Sequence, residues 1–159
     1  MAAKVDDVAE FRDLFYRRMN SIDNRKFYST IGHVLLKSIQ ENFDVGGRYS
    51  RSSPIGTGGT DRWFDLSEVT IAQRTKKGYW PGKILQQTGI LASSITFTVN
   101  SDGVSVGSNL SYARDLQYGT DIMPPRPFLV VQEEDITKIM FKYTEYFARN
   151  LGMTAKISK

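Results

Sequence analysis

Apolar positions keep a helical period at both ends of the chain and change to a strand period in its middle. Val8, Phe11, Phe15 and Met19 follow steps of three, four and four. Asp6, Asp7 and Glu10 precede most of them and Arg17 and Arg18 come late, so the spacing predicts an amphipathic helix whose charges complement its dipole. A second helix is expected from about Asp23, with Phe27, Ile31, Leu35, Ile39 and Phe43 at four-residue steps and Val34 and Leu36 widening the stripe. At ~1.5 Å per residue it would reach on the order of 30 Å, most of the width of a small domain.

Residues 46–62, GGRYSRSSPIGTGGTDR, carry no period. Five glycines and a proline among serines and threonines predict a flexible loop, either a surface excursion or a segment that orders against a partner, and it holds Arg48, Arg51 and Arg62. After Trp63, FDLSEVTIAQRTKKG reads as a helix with Leu66, Val69 and Ile71 inward, ended by Lys76, Lys77 and Gly78, and YWPG follows as a turn. Ile95, Phe97 and Val99 then alternate, as do Val104 and Val106, around Asn100 to Gly103, which predicts a β-hairpin. Tyr112 to Tyr118 makes a short helix with Gly119 as its stop. Acids open a last helix in which Ile136, Met140, Tyr143, Phe147 and Leu151 share one face, and the tail TAKISK frays.

These elements predict one α+β domain over 1–159: two N-terminal helices, a small antiparallel sheet centred on the hairpin, and a C-terminal helix. The strands are too few for a parallel βαβ sheet, and there is no internal repeat. A length of 159 residues with 40% apolar and 24% charged composition suits a single domain with a core. No stretch approaches the ~20 apolar residues that cross a bilayer, and the acidic, polar start MAAKVDDVAEF is unlike a signal peptide, so a cytosolic chain without membrane contact is expected. Zero cysteines remove disulfides, thiolate nucleophiles and sulfur-ligated zinc.

The net charge of +4 raises the question of nucleic acid, but it is spread evenly. Residues 1–62 hold ten Lys/Arg against eight Asp/Glu, and residues 63–159 hold eleven against nine, so no basic arm exists. Catalysis lacks its parts: His33 is the sole histidine, with nothing nearby in sequence to orient it. Glu133, Glu134 and Asp135 are consecutive and point different ways on a helix, where they favour its N-terminus rather than a metal. Ser93 and Ser94 lack elbow glycines, and neither GTGGT at 56–60 nor Gly82-Lys83 completes a phosphate loop. No catalytic residue, metal or cofactor is expected. What remains is contact surface. Tyr49, Trp63, Tyr79, Trp80, Tyr112 and Tyr118 lie in or beside loops, where they serve either as interface anchors or as caps on the core.

Three blocks, in this order, resemble the phage virion morphogenesis or tail-completion proteins. The first is Trp63-Phe64-Asp65-Leu66-Ser67 with Thr70 and Arg74. The second is Ile84 to Ile95, ILQQTGILASSI, similar to the family's Thr-Gly and Ser-Ile signature leading into the hairpin. The third is Tyr112-Ala113, Gln117-Tyr118-Gly119 and Pro125-Arg126-Pro127-Phe128-Leu129. The family commonly has a histidine where Leu116 stands and a basic residue where Ala92 stands.

The resemblance implies a non-enzymatic structural protein of the virion, in the tail or neck, assembled in the host cytoplasm. It would complete the head-proximal end of the tail or join tail to head as a ring-forming subunit, commonly a hexamer. Its partners would be further copies of itself, head connector or neck proteins, and tail tube or sheath proteins, with genome DNA passing through the channel. Interface candidates are Arg48, Arg51, Trp63, Tyr112, Gln117, Tyr118, Arg126, Pro127 and Phe128. Arg126, bracketed by prolines that hold the backbone extended, is either presented to an acidic group on a neighbour or a bystander where prolines align the last helix. The alternative is a small nucleic-acid-binding module using Arg48, Arg51, Arg62, Arg74, Lys76 and Lys77, which salt would weaken steeply.

Overall fold

A computed structural model describes Asp13, Arg17, residues 23–52 and residues 57–150. Of the expected helix from Val8 to Met19 only Asp13 and Arg17 are described, both helical; its apolar positions, and the tail from Leu151, lie outside the described residues. Among the described residues the architecture is α+β. The order is α1 (Arg25–Val45), α2 (Glu68–Lys76), α3 (Ile90–Ser93), β1 (Thr96–Val99), β2 (Val104–Gly107), α4 (Ala113–Tyr118) and α5 (Glu133–Asn150). The two strands form the predicted hairpin, one antiparallel pair in which Val99 faces Val104 and Phe97 faces Val106.

α1 is the spine. Its four-residue stripe buries Phe27, Ile39 and Phe43, each worth roughly 1.5–3 kcal/mol of apolar burial. Gly46 ends it in the left-handed region at φ 78°, and the Gly47 N–H closes on Asn42 O at 2.8 Å. Around Phe43 gather Trp63 and Phe128, with ring centroids 5.7 and 5.6 Å away, and Tyr49, Leu91, Ile95, Ala113 and Val130 complete the core. The hairpin lies against α1 at Gly32, where a Cβ would stand 2.5 Å from the Phe97 ring. A glycine inside a helix costs about 1 kcal/mol, and here it lets a strand approach the helix backbone closely.

The expected loop at 46–62 is tied down by the chain itself in its described parts. Tyr49 and Asp61 exchange backbone hydrogen bonds at 3.2 and 2.9 Å, Trp63 N–H donates to Gly46 O, and Gly58 N–H donates to Val131 O at 2.9 Å. No partner is needed to order these residues. Gly58 has its own reason: a side chain there would collide with Gln132.

Two expected inward faces need correction. On α2, Ser67 caps the N-terminus by accepting from Thr70 N–H, but Val69 is 67% exposed and the buried residue of that helix is Arg74. On α5, Ile136, Met140 and Tyr143 are half-exposed, while the buried residue is Asp135. The cause is the antiparallel crossing of α1 and α5. It runs from a Ser38 to Asp135 bond at 2.5 Å to Phe27 packed on Tyr143 and Tyr146, and so covers one edge of the apolar stripe.

Candidate functional site

The proline segment 124–129 is extended and has no strand beside it, so most of its backbone hydrogen bonds are made to side chains. Asn42 Nδ2 donates to Phe128 O at 3.0 Å and Trp63 Nε1 donates to Pro127 O at 2.7 Å. Gln117 Oε1 accepts from both Phe128 N–H and Leu129 N–H at 3.0 Å, while its Nε2 donates to Leu129 O. The Arg126 N–H donates to Leu116 O at 2.8 Å. Prolines at 124, 125 and 127 carry no N–H, which spares the segment three donors it could not have placed. Buried Asn42 and Gln117 are thus explained as partners of an extended backbone.

This arrangement revises several candidates. Trp63, Gln117, Pro127 and Phe128 are buried in the protomer and consumed by this packing rather than displayed. Arg126 is 6% exposed, not presented: Nε donates to Phe64 O and Nη2 to Asp65 O, both at 2.9 Å, so it clamps the segment before α2 onto the proline strand. Burial, and then the charge of Arg74, lower its pKa, while Tyr49 and Asp65 oppose that shift.

Arg48 likewise turns inward. It donates to Asn42 Oδ1 and Ser38 O at 3.0 Å and to Glu134 at 2.7 Å, and pairs with Glu41 at 3.3 Å, which joins the loop to α1 and α5. Gln132 Nε2 returns a bond to Arg48 O. Arg51 lies over the Phe64 ring at 4.5 Å and donates to Arg62 O, and Arg62 itself donates to Val45 O. Of the basic set, Arg74 is buried and Arg48 half-buried, while Arg51 and Arg62 beside the loop and Lys76 and Lys77 at one end of α2 stay exposed. Tyr112 and Tyr118 lie at the surface.

Sequence reasoning missed one feature. A cleft of about 320 Å³ opens between α2, α3 and α4, lined by Arg74, Leu85, Gln87, Leu91, Tyr112 and Leu116. Leu85 on its wall has φ 60°, a left-handed conformation that costs a branched residue of order 1–3 kcal/mol. Such strain cannot be read from sequence, because it is imposed by the packing on either side. Among the described residues no cluster of three or more His, Asp or Glu side chains is placed to hold a metal, and no helix is long and apolar enough to cross a membrane.

Comparison with known proteins agrees with the three blocks. A model of the phage virion morphogenesis family matches residues 6–148. Mu-like prophage FluMu G protein 1 of Haemophilus influenzae is 27% identical over 135 residues, 84% of this chain and 86% of that protein. Putative capsid assembly protein G of Escherichia phage Mu is 36% identical over 95 residues, 59% of this chain and 56% of that protein. No solved structure matches the chain.

Proposed function

Since the chain belongs to the phage virion morphogenesis family, we propose that it is a non-catalytic subunit completing the head-proximal end of a phage tail and joining it to the head as a homo-oligomeric ring. The observation that supports assembly over chemistry is what the fold leaves open. Ile122 projects almost fully into solvent, and Ile136, Met140 and Tyr143 make a half-exposed apolar strip along α5. Exposed apolar surface of this kind marks contact sites. A ring of heterologous contacts needs two different complementary patches per subunit and closes when the rotation per contact divides a full turn.

Electron microscopy of lysates from a phage or prophage lacking this chain is the test. The expected result is finished heads beside unjoined tails, and native mass spectrometry of the purified protein should show a closed oligomer. Joined, infectious particles made without the chain would overturn the proposal. A second reading comes from the Mu relative, whose name places it in capsid assembly. On that reading the same lysates would contain defective heads and normal tails.

A further inference from the structure

The cleft walled by Arg74 holds a charge that the fold does not satisfy. Arg74 is 8% exposed, its Nη1 donates to Lys83 O at 3.2 Å, and its Nε is buried with no hydrogen-bond partner. An unpaired buried donor on a cation is costly, and a second guanidinium, Arg126, lies near enough for the two charges to oppose each other. A carboxylate placed in the cleft would offset that charge. Beside Arg74 the walls combine Leu85, Leu91 and Leu116 with Gln87, Thr88 and Tyr112, so a group that matches both the charge and the leucines is an acid beside a branched apolar side chain.

The chain itself displays such a pair. Asp121 and Ile122 form the tip of a two-residue turn closed by Thr120 N–H to Met123 O at 2.9 Å and Met123 N–H to Thr120 O at 3.2 Å. Asp121 is exposed and Ile122 is 97% exposed, higher than any other exposed large apolar residue among those described. The closed turn fixes the tip before contact, which lowers the entropy lost on docking.

We propose that the Arg74 cleft is a carboxylate-binding socket and that its occupant is the Asp121–Ile122 turn of a second copy of this chain. The proposal deepens the ring reading and rests on it. The carboxylate pairs with the face of the Arg74 guanidinium that lines the cleft, and Ile122 packs on Leu85, Leu91 and Leu116. Socket and tip are different surfaces, so each copy can give one and receive the other, the heterologous pattern from which rings are built.

The test has two arms. In the first, sedimentation velocity compares the wild-type chain with the Asp121→Lys/Ile122→Ser variant, whose changes lie on an exposed turn away from the core. The wild type should assemble and the variant should sediment as a monomer over the same concentrations. In the second, an acetylated, amidated Thr-Asp-Ile-Met peptide is titrated onto the variant and followed by NMR or calorimetry. It should bind, and replacing its aspartate by asparagine should weaken binding by about tenfold or more, as a lost charge-assisted bond predicts. Arg74→Gln should weaken the acidic peptide to a similar degree, and the asparagine peptide supplies the same information if that variant fails to fold. Assembly of the variant like wild type, or equal binding of the two peptides, overturns the socket while leaving a ring built on other contacts intact. A wild-type chain that never self-associates, yet binds the peptide through its aspartate, keeps the carboxylate socket but overturns the second copy as its occupant, and with it the ring.

Discussion

Arg126 shows how far a local pattern can mislead about a single side chain. Its flanking prolines are visible in sequence and do hold the backbone extended, but the carbonyls it serves belong to Phe64 and Asp65, more than sixty residues upstream. Arg126→Ala is therefore expected to destabilise the protomer by about 2–4 kcal/mol, because two carbonyls lose the buried charged donor that ties their segment down. Urea unfolding measures this, and a variant as stable as wild type would return Arg126 to the surface roles. Tyr146 offers a test of a different kind. Its hydroxyl donates to Asp23 O at 2.5 Å, and burial, then Asp23, raise its pKa. The unfolded chain ionises this phenol near pH ~10 while the folded chain keeps it protonated. The stabilising bond is therefore fully present below that pH and is lost as pH rises through the folded pKa. The gap in melting temperature between wild type and Tyr146→Phe should narrow above pH ~10, and a gap that stays constant to pH 11 would remove the bond from the account.

At the scale of elements, the junctions carry the stability. Gly32 admits Phe97 against α1, so Gly32→Ala should cost about 1–3 kcal/mol despite alanine's better helix propensity. Trimming the ring in a Gly32→Ala/Phe97→Leu double variant should restore part of that loss, and a chemical-denaturation cycle reads the coupling. The start of α5 is a second junction. Asp135 accepts from Gln132 N–H at 3.1 Å, the return half of a capping box, and from Ser38 on α1 at 2.5 Å. Asp135→Ala should lose about 2–3 kcal/mol by the same measurement, since it uncaps one helix and unpins another. The acid-rich opening of that helix was legible in sequence as a dipole effect. Which of three consecutive acids is buried was not, because that depends on where α1 crosses.

For the molecule as a whole, the division between core and surface decides what the chain can do. Phe43, Trp63 and Phe128, from three distant stretches, make the centre, whereas Met140 on the periodic face of α5 is 57% exposed. Met140→Lys should therefore leave thermal stability within about 0.5 kcal/mol of wild type, and a loss of several kcal/mol would place that face in the protomer core. The sequence by itself determined the α+β class, the long spine helix, the hairpin, the short helix stopped at Gly119, and the family. Each of these rests on local period, on a residue with one conformational use, or on motif order. Tertiary structure alone decided that Arg48, Gln117 and Arg126 face inward, that the glycine-rich loop is tied to Val131, and that Arg74 walls a cleft with an unpaired donor. The physical reason is the same in each case. Period says that a side chain is apolar on one face or charged at one end, but burial and hydrogen-bond partners come from segments brought together only when the chain closes on itself.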